Sequence, residues 1–238
     1  MNIVDILIIL LLIIGAVKGW KYGCFSSAIS LIGTILVFVL AYYLKNPVSV
    51  LMYENLPFYN FGGVFYGITS FNILLYEGVA YLVCLVILGA LLGIVLKLTG
   101  IVDKLINMTM ILALPSKVLG LLFGAIQYYI IIFFVVFILM QLPFSSELMS
   151  TSQVGEFMLN KTPALSNVTN SIYSSVSEIY DICSSHESDT DKSEGDYESL
   201  DTLMKYKVIT SESVRKLVNK GKLNIKNVDV LIDKYKEW

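Results

Sequence analysis

The first twenty-three residues, Met1-Asn-Ile-Val-Asp5-Ile-Leu-Ile-Ile-Leu10-Leu-Leu-Ile-Ile-Gly15-Ala-Val-Lys-Gly19-Trp-Lys-Tyr-Gly23, decide the fold. Asn2 is placed to cap a helix, and Asp5, three residues on, is placed to reach back to it as in a capping box. An intramembrane ion ligand is the alternative reading of Asp5, but its position at the helix edge, beside the positive end of the dipole, suits the cap better. Residues 3–20 are almost wholly apolar and at 1.5 Å per residue span about 27 Å, one hydrocarbon core. Lys18 can snorkel to the interface, where Trp20 and Tyr22 suit an aromatic belt. Gly15, Gly19 and Gly23 form a small-xxx-small row that lets a second backbone approach closely. Gly19 and Gly23 equally suit a turn into the next helix. The positive charges follow the apolar core and no Ala-x-Ala site comes after it, so the run is expected to stay rather than be cleaved as a signal peptide.

Composition extends this reading to much of the chain. Hydrophobic residues make up 56% and charged residues 15% of 238 residues, with a mean hydropathy of +0.72. Those values belong to membrane proteins. A net charge of -2 argues against nucleic acid as a partner. Cys24, Cys84 and Cys183 are odd in number, widely spaced and free of any CxxC or His cluster, so neither zinc nor a disulfide framework is expected. No cofactor is expected either.

Working outward, residues 24–44 read as a second span, ended by Lys45 and Pro47 and joined to the first by a tight hairpin. Residues 46–77 carry Pro47, Pro57, Gly62, Gly63, Gly67 and many aromatics, and suit an interfacial or re-entrant lid. Residues 78–98 are a third span, with Gly89 and Gly93 four apart. In residues 99–115, Ile101, Leu105, Met108 and Leu112 share a face interrupted by Asp103, Lys104 and Asn107, the pattern of an interfacial amphipathic helix. Residues 117–140 are a fourth span, carrying Gly120 and Gly124 and the polar Gln127, Tyr128 and Tyr129. The expected organisation is all-α: a polytopic transmembrane domain over 1–142 with spans at 3–20, 24–44, 78–98 and 117–140, a polar and partly disordered linker over 143–198, and a small helical tail over 199–238. The linker includes weak helical signal at 166–181 and an acidic, Ser-rich stretch at 184–201. In the tail, Leu200, Leu203 and Met204 mark one helix, Val214, Leu217 and Val218 a second begun at Thr210 or Ser211, and Val228, Leu231, Ile232 and Tyr235 a third begun at Asn227. About forty residues make a marginal core, so this bundle is expected to dock on something.

Catalytic chemistry is not expected. His186 is the only histidine and lies in the acidic stretch. No nucleophile elbow or P-loop is present, and the ionisable residues of the spans, Asp5 and Glu77 among them, read as terminal. The combination Asn2-x-x-Asp5, Gly15-x-x-x-Gly19-x-x-x-Gly23 and Leu119-Gly120-Leu-Leu-Phe-Gly124 resembles the colicin V production protein (CvpA) family over residues 1–142. Family members often carry Asn-Arg before the last glycine pair and Lys-Gly after it, where this chain has Ser116-Lys117 and Gln127-Tyr128. The resemblance implies a bacterial inner-membrane protein of about four helices, associated with toxin production or export and with envelope homeostasis. Some relatives add an extracytoplasmic serine-protease domain, which is not expected here, where only the helical tail follows. Two functions are expected to compete: a scaffold assembling with copies of itself or other membrane proteins through its glycine faces, its tail docking a protein, and a pore or transport subunit with Gln127 and Tyr128 on a polar path. The lysine bias, Lys18 and Lys21 in the first loop and Lys97, Lys104 and Lys117 in the third, places those loops in the cytoplasm and both termini outside.

Overall fold

The computed structural model describes residues 2–106, 110–140, 152–162 and 165–236. Among the described residues it is all-helical, with eight α-helices: α1 (Ile3–Asn55), α2 (Ser70–Ile106), α3 (Met110–Met140), α4 (Gln153–Lys161), α5 (Leu165–Ser185), α6 (Ser193–Lys205), α7 (Ser211–Asn219) and α8 (Val228–Lys234), with a 3-10 turn at Gly63–Phe65. Ile3–Asn55, Ser70–Lys97 and Leu114–Leu139 are long and apolar enough to cross a membrane.

The two spans expected at 3–20 and 24–44 both lie in α1, which is broken at Gly23 (φ 85°, ψ 180°). That conformation is open to glycine and strained for any residue with a Cβ. The arms on either side fold back on each other. Ile8 and Val4 pack with Ile132, Phe133 and Val136, whereas Gly19 and Gly23 lie against Gly120, so the first arm runs antiparallel to α3. Along the second arm, the Cys24 N–H donates to Ser116 Oγ at 3.1 Å and the Phe38 ring stacks on Phe134 at 4.1 Å, so this arm runs parallel to α3. The four expected spans are therefore carried by three helices. Pro47, expected to end a span, instead sits inside α1, which continues to Asn55. Proline costs one intrahelical hydrogen bond there. Asn107 and Met108 of the expected amphipathic face lie outside the described residues, as does the start of the tail at Pro143.

Packing groups the chain into two compact units, residues 1–39 with 87–169 and residues 40–86 with 170–238. The first is held by the seam between α1 and α3 and by α4, whose Met158 is buried against Phe133 and Val136. In the second, Leu200, Leu203 and Met204 of α6, Val214 and Leu217 of α7, and Val228, Leu231 and Ile232 of α8 close one core with Ile179 and Cys183 of α5. Tyr53, Ile68 and Ile73 complete it. The small tail thus packs on residues 50–76 of its own chain. Helices α4, α5 and the start of α6 occupy stretches read from the sequence as a polar linker. Their polar faces hide apolar rows, Ile179 and Cys183 in α5 among them, that are buried only once this core forms.

Candidate functional site

The glycines bring two backbones together. A Cβ on Gly19 would lie 2.8 Å from the Gly120 carbonyl carbon and 3.0 Å from Gly124 Cα, and one on Gly120 would lie 2.7 Å from the Gly23 carbonyl carbon. A Cβ on Gly124 would lie 2.5 Å from the Gly15 oxygen. None of these neighbours is a side chain that could swing away. Gly33 differs: a Cβ there would meet only the end of the Leu92 side chain, while Gly89 and Gly93 have nothing within 4 Å.

Asp5 is fully buried and fastens two helix starts. Its Oδ2 accepts from the Asn2 N–H at 2.8 Å, and its Oδ1 accepts from Ser152 Oγ at 2.6 Å and the Val154 N–H at 3.0 Å. Ser152 in turn caps α4 by accepting from the Gly155 N–H. One carboxylate therefore occupies the N-terminal ends of α1 and α4, where helix dipoles favour a negative charge. Gln127 Nε2 donates to Thr34 Oγ1 at 3.0 Å, and Thr34 donates to the Ser30 carbonyl. Lys18 Nζ donates to Tyr128 OH at 2.7 Å, and the Tyr128 ring covers Gly15. Both residues are tied to neighbouring side chains.

In the second unit the structure corrects the reading of Glu77 as a terminal group. Glu77 is 2% exposed and Lys45 5%, and they form an ion pair at 2.5 Å. Glu77 Oε1 also accepts from Ser49 Oγ at 2.7 Å and Tyr53 OH at 2.6 Å. Lys45 Nζ further donates to the Val208 carbonyl at 2.6 Å and Asn46 Oδ1 at 3.2 Å. Its three N–H donors are thus all used, which is what a buried ammonium requires. Ser49 and Val208 were not singled out from the sequence, while Lys45 was read as the end of a span and Tyr53 as one of many aromatics. The signal was present, since Lys45, Ser49 and Tyr53 recur every four residues on one helix face, but Pro47 made the helix seem to end before that face was complete.

His186 lies between two carboxylates, with Nδ1 2.6 Å from Asp189 and Nε2 3.4 Å from Glu198. The hydrogen bond with Asp189, supported by Glu198, holds its pKa above the ordinary value of 6.5 against the opposing effect of burial. Lys192 Nζ donates to the carbonyls of His186 and Glu187, closing the turn between α5 and α6. Among the described residues no group of three or more His, Cys, Asp or Glu could hold a metal ion.

A family model described as Colicin V production protein matches residues 4–163. The match runs from the first turn of α1 to the end of α4, so it contains the glycine seam and both sides of the Asp5 clamp. Comparisons with curated proteins and with solved structures return no match.

Gly19→Leu is expected to lower the melting temperature in detergent and the abundance of the chain much more than Gly33→Leu. Overpacking against side chains costs about 1–3 kcal/mol, and against backbone there is less room for relief. Equal melting of the two variants would show that the seam tolerates separation. The second outcome concerns pH. Because His186 titrates higher in the folded state, its contribution is fully present below the unfolded pKa of about 6.5 and is lost as pH rises through the folded value. The melting advantage of wild type over His186→Gln should therefore be largest below about pH 6.5 and shrink as the pH rises above it. A pH-independent difference would rule out the imidazolium clamp.

Proposed function

As the chain belongs to the colicin V production protein family, we propose that it is a non-enzymatic scaffold of the bacterial inner membrane. In this reading it serves colicin V-like toxin production or export and envelope homeostasis. The observation that carries the reading is the single core shared by α5–α8 with Tyr53, Ile68 and Ile73. It gives the membrane helices a folded extramembrane body suited to docking a protein, continuous with α1 and α2. The glycine seam supports the same reading, because contacts this close hold a helix assembly in a solvent that offers no hydrophobic drive between helices.

The proposed topology keeps both termini outside and the first and third loops in the cytoplasm. Residues 46–77 and the tail share a core and so lie on one side. Cys183 is 1% exposed, with its thiol pKa pushed up by burial, which makes it a poor probe. Asp229→Cys, at an exposed position, should instead react with a membrane-impermeant maleimide on outer-permeabilised cells. Reaction only after lysis would place the tail in the cytoplasm.

Transport is the second reading, favoured by the buried Lys45–Glu77 pair, since a titratable carboxylate inside a membrane protein is a default candidate for coupling. A pair of variants separates the two. Glu77→Gln strands Lys45 without its counter-charge, at a cost of about 3–5 kcal/mol, and should lower abundance. Lys45→Met combined with Glu77→Gln removes both charges and should restore abundance and toxin secretion to within about twofold of wild type in a producer strain lacking its own family member. A double variant that accumulates and assembles normally but secretes nothing would establish a titratable role for Glu77, and the transport reading would replace the scaffold.

A further inference from the structure

Charge in the second unit is segregated along the chain. Residues 187–201 hold seven Asp or Glu and one Lys, and residues 205–226 hold seven Lys or Arg and one Glu. Folding pairs only part of it. Lys205 lies 3.0 Å from Glu178, Lys234 2.7 Å from Asp201 and Lys226 3.4 Å from Asp191. Arg215 and Lys216 remain on the exposed side of α7, with Lys220 and Lys222 just beyond its end. Lys216 pairs with Glu212 of its own helix at 2.8 Å, and Lys220 stands 3.7 Å from Glu54. Lys216, Lys220 and Lys222 wall a shallow cleft whose floor is Val50, Tyr53 and Leu217 and whose one acidic residue is Glu54.

On the acidic side, Glu187 and Glu194 are exposed and carry no ion pair among the described residues. Asp189 and Glu198 share the imidazole of His186. The two faces adjoin at the exposed Lys226–Asp191 pair. Adjacent patches of opposite sign are self-complementary under a twofold rotation, in which residue i of one copy meets residue j of the other and j meets i.

We propose that the cleft-bearing basic face of α7, with Arg215, Lys216, Lys220 and Lys222, docks on the acidic face around Glu187 and Glu194 of a second copy of this chain. The occupant is identified by charge complementarity, because the chain itself carries exposed carboxylates without an ion pair among the described residues, Glu187 and Glu194, in the segment whose Asp191 meets Lys226. Single exposed ion pairs contribute little, so the contact depends on several acting together. It is accordingly sensitive to salt, which screens exposed charges over about 8 Å at physiological ionic strength and about 3 Å at 1 M. The proposal rests on the scaffold reading, for which it supplies the link between copies. Its test reads association alone, and toxin secretion does not enter it.

The test is sedimentation of the full chain in detergent at about 50 mM and about 500 mM salt. Self-association should weaken at least about tenfold at the higher salt. It should weaken as much in Arg215→Glu/Lys216→Glu/Lys220→Glu, and as much again in the separate variant Glu187→Lys/Glu194→Lys. Mixing these two variants should restore association, because each offers the face the other lacks, and restoration also shows that both are folded. Association that survives the reversals, or a mixture that stays dissociated, overturns the proposal. If the basic-face variant self-associates normally but loses binding to anionic vesicles, the surface belongs to lipid and the proposal is equally overturned.

Discussion

Where α1 crosses α3, backbone meets backbone with no side chain between, and the arrangement of the first unit follows from that contact. Lipid tails are as apolar as leucine, so helices in a bilayer hold together by the closeness of their approach rather than by escape from water. Glycine on both sides is what makes the approach possible. It also fixes the register: once Gly19 lies on Gly120 and Gly124, the Cys24 amide left exposed by the break at Gly23 falls on Ser116 Oγ, and Gln127 falls on Thr34.

The second unit is organised around charge as well as around its apolar core. Burying an ammonium and a carboxylate is unfavourable unless both are paired and hydrogen-bonded, and Lys45 and Glu77 meet that condition using α1, α2 and a carbonyl of the tail. The pair adds specificity more than stability. A tail shifted by one residue would leave a donor of Lys45 without the Val208 oxygen, a penalty that a greasy contact would not impose. Tyr42 OH, donating to the neighbouring Lys207 carbonyl at 3.1 Å, holds the same turn.

Much of this was legible in the sequence, and the failures have identifiable causes. The apolar runs, the glycine rows and the tail helices are local signals, and hydrophobic period and capping residues suffice to read them. Thr210 does accept from the Ser213 amide at 3.3 Å. Asn227, by contrast, enters α8 in a left-handed conformation (φ 60°) without a side-chain cap bond. The missed features depend on residues far apart in the chain. Glu77 looked terminal because its partner lies 32 residues away behind a proline, and Ser152 is separated by 147 residues from Asp5. The acidic stretch looked like a solvated linker because the apolar positions of α6 acquire meaning only beside Ile68, Ile73 and Tyr53. Periodicity describes a helix face, but it does not say what that face will meet.

The shared core of the second unit also sets an order of events during synthesis. Ile73 leaves the ribosome roughly 130 residues before Leu203, its companion in that core, and at 5–20 residues per second the delay is on the order of ten seconds. Through that interval the aromatic segment around Phe58, Phe65 and Phe71 has no tail to cover it, while α2 and α3 are still being delivered. An apolar, uncharged stretch held open for so long is a target for chaperones, proteases and the bilayer surface. A molecule that loses α6, α7 and α8 keeps its long apolar helices but leaves Tyr53, Ile68 and Ile73 without the cover they have in the folded chain.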